Sequence, residues 1–231
     1  MFPIHDDNPT RITPYVTYVL LSACVLVFFW QISLGDAAQQ AVYSFGVIPS
    51  VLFASKSLPV ELEILPAWLT IFSSMFLHGG WMHLIGNMLY LWVFGNNVED
   101  AMGHRRFIVF YLACGLLAAL TQAVLNPDSE IPMIGASGAI SGVLGAYLLL
   151  HPHARILVVI PIIIVVYTPW IAAYWVLGFW FVLQLINSLT SASDVGGVAY
   201  GAHIGGFVAG MLLIPLFKYR YVQLFSPSKR R

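Results

Sequence analysis

Six apolar runs, each long enough to cross a lipid bilayer, constrain this chain more than any other feature. They cover about residues 14–34, 81–98, 107–125, 134–150, 169–189 and 199–217. At 1.5 Å per helical residue, runs of about 17–21 residues reach across most of a ~30 Å hydrocarbon core. Lipid offers no partners for backbone N–H and C=O groups, so a single run can cross only as a helix. The expected fold is an all-α membrane protein, a bundle of six transmembrane helices forming one domain over residues 1–231. Charged residues make up 9% of the chain, against about 25% in soluble domains, which excludes a surface wetted all round. A net charge of zero gives no ground for nucleic-acid binding. Cys24 and Cys114 both fall inside apolar runs and read as small core residues outside any disulfide framework. The first run is longer than a signal-peptide core and follows Asp6, Asp7 and a single Arg11, so it reads as a retained first helix.

Basic residues set the orientation. With six spans, one side receives Arg11, Arg105, Arg106, Arg155, Lys218, Arg220, Lys229, Arg230 and Arg231, and the other receives Lys56 alone. Cytoplasmic loops concentrate Lys and Arg, so both termini are expected in the cytoplasm. Trp68 and Trp81 flank the outer entry to the second helix, where indole rings favour the interface. The outer loop over residues 35–80 is too long to lack structure, and short helices lying partly in the outer leaflet are expected there. The apolar stretch Ile156–Val166 is too short to span and is expected near the interface between helices four and five.

Polar side chains at membrane depth are costly and are candidates for function. Three groups stand out. Ser137 lies in Gly135-Ala136-Ser137-Gly138, about a turn inside the outer end of the fourth helix. His203 sits about a turn inside the sixth, with Gly206, Phe207 and Gly210 on its face. His83 and Asn87 share a face of the second helix at a spacing of four, just after His78-Gly79-Gly80. Each group alone fits a packing role, since small residues such as Gly138, Ser141, Gly142 and Gly145 let helices approach closely. Together they place a nucleophile, a base and amide or imidazole donors at one depth, on the three helices whose N-termini face outward. Those are the parts of acyl transfer, working from an aqueous cavity open to the outer side.

With these motifs in this order, the chain resembles the rhomboid family of intramembrane serine proteases. The resemblance rests on Gly135–Gly138, His203 with Gly206, His83 with Asn87, and Phe76-Leu77-His78-Gly79-Gly80, and extends from about Trp68 to Gly210. It implies a six-transmembrane-helix rhomboid-like bundle in which Ser137 attacks a peptide carbonyl and His203 takes the proton. Asn87 and His83 would help to hold the oxyanion, with Gly135 and Gly138 shaping the site. It further implies single-pass transmembrane proteins as substrates, the lipid bilayer as the setting, a bacterial inner membrane as the first expectation of location, and neither cofactor nor metal. Two positions depart from the family pattern. Ser141 stands where active members often carry an aromatic that packs on the histidine, and Leu69-Thr70 stands where many carry Trp-Arg.

Two other readings compete. One is a rhomboid-like protein without activity that binds or escorts membrane clients; the presence of both Ser137 and His203 speaks against it. The other is a small transporter using histidines as a proton relay, which would need ionisable groups along the whole path. His151 and His153 fall on the cytoplasmic side, and the inner halves of helices four and six carry no Asp, Glu or Lys. No His-Glu-x-x-His occurs to support a metalloenzyme. None of the ten acidic residues lies in a run near Ser137, so the base is expected to work without a carboxylate behind it, Asp194 being the nearest on the chain.

Overall fold

A computed structural model describes residues 2–162, 165–190 and 197–226. Asp194 and the basic residues Lys229, Arg230 and Arg231 lie outside them. The fold is mostly helical. Its long helices are α1 (Tyr15–Ser33), α5 (Trp81–Met102), α6 (His104–Leu125), α7 (Ser137–Leu150), α8 (Ala173–Thr190) and α9 (Tyr200–Phe217). The loop over 35–80 does carry short helices, α2 (Ala38–Phe45), α3 (Pro49–Leu52) and α4 (Ala67–Ser73), with single 3-10 turns at Gly35–Ala37 and Ser74–Phe76. Among the described residues, α1, α6, α8 and α9 are long and apolar enough to cross a membrane. α5 has the length, but His83, Asn87, Asn96, Asn97, Glu99 and Asp100 make it more polar. α7 has 14 residues, which is roughly 21 Å at the helical rise.

The fold departs from an all-helical one at the end where Arg105, Arg106 and Arg155 gather. There β1 (Phe2–Asp6), β2 (Arg155–Ile162), β3 (Val165–Tyr167) and β4 (Trp170–Ala172) form an antiparallel sheet. Ile156 pairs with Asp6 on one edge and with Ile171 on the other, so β2 is central. The stretch expected to join two helices near the interface is therefore mostly strand. Its run of Ile and Val favours a pleated backbone over a helix, and it alternates: Ile156 and Val158 are fully buried, while Leu157 and Val159 are not. The helix expected from residue 169 consequently begins at Ala173, after β4.

α7 is the centre of the bundle. From Ala139 to Tyr147 every residue is buried, the mark of a helix enclosed on all sides. Its small residues make this possible. A Cβ on Gly206 would collide with the Gly138 carbonyl oxygen, one on Gly210 with that of Gly142, and one on Gly145 with that of Phe207. α9 thus lies backbone to backbone on α7. Cys24 and Cys114 are buried free thiols, as read from the sequence; Cys114 fills the space beside Gly142.

Candidate active site

The nucleophile candidate sits at the first residue of α7, not a turn inside it. Gly135 explains the difference. Its φ of +121° lies where L side chains are strained, so the helix does not run back through it and starts only at Ser137. The Gly135 N–H donates to the Ser74 carbonyl (2.9 Å), and Val47 pairs with Met133. The loop over 35–80 thereby holds the approach to Ser137. The first intrahelical bond of α7 runs from Ile140 N to Ala136 O. The N–H groups of Ser137 and Gly138 precede it and have no carbonyl of their own helix to serve.

His203 meets this end of α7 from the first turn of α9. Its Nε2 lies 2.7 Å from Ser137 Oγ. The ring is 9% exposed, while Ser137 is half-buried, so the base is shielded and the hydroxyl can be reached. His83 approaches from α5. The Gly79 N–H donates to His83 Nδ1 (3.2 Å), which leaves Nε2 of the neutral ring to carry the proton. That Nε2 faces Gly135: a Cβ on Gly135 would stand 2.7 Å from it. Only glycine fits between His83 and Ser137, and His83 can donate to an oxygen arriving there. Asn87 is buried one turn further, its Nδ2 donating to the His83 carbonyl (2.9 Å); the second hydrogen of that amide is left for a ligand. His78 lies behind His83, with ring centroids 5.2 Å apart. Burial, reinforced by His83, pushes the His78 pKa down to about 4, so it is neutral at physiological pH. Its backbone is gripped by Gln31 of α1 (2.9 Å).

All six residues singled out in the sequence thus lie at one end of the bundle, on α5, α7, α9 and the loop that leads into α7. Two others were not anticipated. Gln184 of α8 places Oε1 2.9 Å from His203 Nδ1, and the Trp180 ring lies 5.8 Å from the His203 ring at 33°. Their signal was present: Gln184 is an amide deep in an apolar run, and the rule applied to His83 and Ser137 applies equally to it. Ser141, by contrast, turns away from the imidazole and donates to the Ser137 carbonyl (2.6 Å). The ring that packs beside His203 from α8 is Trp180.

Comparison with known proteins places the chain in a family. Residues 66–220 match the Rhomboid domain family, about two thirds of the chain and the whole of the site. The chain belongs to the rhomboid family. It is 31% identical to the rhomboid protease GluP of Bacillus subtilis over 87% of this chain and 35% of that protein. It is 29% identical to the mitochondrial Rhomboid protein 1 of Saccharomyces cerevisiae, over 74% of this chain and 49% of the relative. Identity to the rhomboid protease GlpG of Salmonella choleraesuis is 26%, over 92% and 66% of the two chains. The chain therefore spans between about a third and two thirds of these relatives' lengths.

Proposed function

We propose that this rhomboid protein is an intramembrane serine endopeptidase that cuts single-pass transmembrane proteins in or near their membrane segment. The observation that carries the reading is the 2.7 Å contact between Ser137 Oγ and His203 Nε2, inside a family match that includes relatives named as proteases. Ser137 Oγ attacks the scissile carbonyl while its proton passes to His203 Nε2, and the C=O electron pair moves onto oxygen. His83 Nε2–H, the free hydrogen of Asn87 and the N–H groups of Ser137 and Gly138 are the donors for that oxyanion. The imidazolium then gives its proton to the leaving amine as the C–N bond breaks, and water releases the acyl group by the same path reversed.

In this reading α1, α5, α6, α7, α8 and α9 are the six spans, and both termini lie in the cytoplasm. The described basic residues other than Lys56 gather at the sheet end, and Lys56 pairs with Glu130 across two loops of the site end. That distribution supports a site opening to the outer face. The short α7 starts Ser137 below the outer boundary, where loops over 35–80 and 126–136 surround it. Exposure of the purified protein to a fluorescent fluorophosphonate tests the reading. Labelling that disappears in Ser137→Ala is expected; labelling that persists, or none in the wild type, overturns it.

A further inference from the structure

We propose that Gln184 is the positioning residue of the base: its amide oxygen accepts from His203 Nδ1 and so holds Nε2 unprotonated toward Ser137. The inference rests on the Ser137–His203 reading and adds a third member to it. The amide orientation follows from its other end. Gln184 Nε2 lies 3.2 Å from the Trp180 carbonyl, which can only accept, so the nitrogen must face Trp180 and the oxygen must face His203. An acceptor at Nδ1 requires the proton of the neutral ring to sit on Nδ1. Nε2 then presents its lone pair to the Ser137 hydroxyl at 2.7 Å, the state a general base must have before attack. During attack the Nδ1 proton stays in place, and the amide dipole faces the charge that develops on the ring.

The placement of Gln184 has no other explanation in packing. α8 buries Ala173, Val176 and Leu177 near its start, and beyond them Gln184 alone. Its neighbours Leu183, Leu185 and Ile186 are exposed. A polar side chain on the one buried position of a lipid-facing stretch is directed at a partner, and both its amide groups are used. The choice of amide is physical too. A carboxylate at this depth would have to be held charged away from water, which costs far more than burying a neutral amide. Trp180, one turn earlier, packs beside His203 and stacks on Phe207 at 6.0 Å, so one face of α8 holds the ring by both hydrogen bond and contact.

Two variants and two readouts test this. The rate of fluorophosphonate labelling at Ser137 is measured against pH, and ring ¹⁵N spectra of histidine-labelled protein report the His203 tautomer. Gln184→Met, similar in length but unable to accept, is expected to slow labelling about 10–100-fold in the rate constant and not in probe affinity, less than the ~10⁴-fold seen when a triad Asp is neutralised. It should also lose the Nδ1–H signature that wild type shows. Gln184→Glu is expected to keep labelling and to move its acidic limb to higher pH, because a carboxylate favours the imidazolium. A merely structural Gln184 would change the melting temperature and leave both the limb and the tautomer alone. Wild-type labelling by Gln184→Met, an unmoved limb in Gln184→Glu, or an Nε2–H tautomer in wild type overturns the proposal while Ser137-dependent labelling stands. Absence of labelling in wild type defeats the protease reading instead, and the tautomer of wild type against Gln184→Met still decides the role of Gln184. Should Gln184→Met fail to fold, the limb of Gln184→Glu decides.

Discussion

The two ends of the bundle each hold a cluster of buried polar side chains, and the clusters are built on opposite principles. At the site end hydrogen bonds between neutral groups link Ser137 to His203 and His203 to Gln184, and separately the Asn87 amide to the His83 carbonyl. At the sheet end the cluster is acidic. Glu99, fully buried, accepts from Val16 N (3.0 Å), Thr17 N (2.8 Å) and Thr17 Oγ1 (2.7 Å), and contacts His104. Asp100 accepts from the N–H groups of Arg11 and Ile12, each at 3.0 Å. Asp6 accepts from Asn97 Nδ2 (2.8 Å) and Tyr147 OH (2.7 Å). Glu99 sits where the first turn of α1 leaves N–H groups without carbonyls, and the helix dipole favours an anion there. The difference teaches where acidic groups are tolerated: the carboxyls occur where backbone N–H or side-chain donors meet them, and the site end is assembled from neutral groups.

The comparison breaks first at Ser137 and His203. Ser137→Ala and His203→Ala should each reduce cleavage of a transmembrane reporter by about 10³-fold or more, with melting temperatures near wild type. Retained cleavage would make the site end as purely structural as the other. Glu99→Ala should do the reverse. It strands the Val16 and Thr17 donors, at about 1–3 kcal/mol for each buried group left unpaired, so a loss of about 3 kcal/mol is expected in thermal melts. Fluorophosphonate labelling below the transition should survive; a melt unchanged by the substitution would remove Glu99 from the anchor of α1. Asn87→Ala should lower turnover by about 10²-fold, the usual loss for one oxyanion donor. Its effect belongs in kcat, and a change confined to KM would reassign Asn87 to structure.

The smallest effect is expected at Asp6. Burial raises its pKa from 3.8 to about 6, against the lowering influence of the Tyr147 hydrogen bond. A carboxyl whose folded pKa is raised stabilises the docked strand fully below about pH 4 and loses that contribution as pH rises through about 6. Amide exchange in β1 should therefore quicken between those values, by about 2 kcal/mol of protection, and Asp6→Asn should flatten the dependence. A slope that persists in Asp6→Asn would place the titration elsewhere.

α7 and α8 show how much could be read in advance. Both are apolar runs at a recognisable spacing, and both were placed within a few residues. The sequence does not say that α7 is enclosed all round and that α8 is exposed along most of its length, because an apolar residue satisfies protein and hydrocarbon equally. Small residues were the better guide. Gly138, Gly142, Gly145, Gly206 and Gly210 pointed to a close helix pair, and α7 and α9 form it. The start of α7 at Ser137 was missed because it turns on the φ of Gly135, which hydropathy does not register. Strand β2 was missed as a strand because its length and composition also fit an interfacial segment, and only pairing with β1 and β4 separates the two.

By itself, then, the sequence determined that the chain lives in lipid, that its six long apolar runs are mostly helix, and that Ser137, His203, His83 and Asn87 belong together, because each follows from local composition and from the cost of polar groups at depth. Only the tertiary structure decided which atom of His203 faces Ser137 and what stands behind it. Hydrogen-bond direction depends on the partner across the helix interface, and Gln184 reaches His203 from 19 residues away along the chain through a packing arrangement that no local pattern encodes.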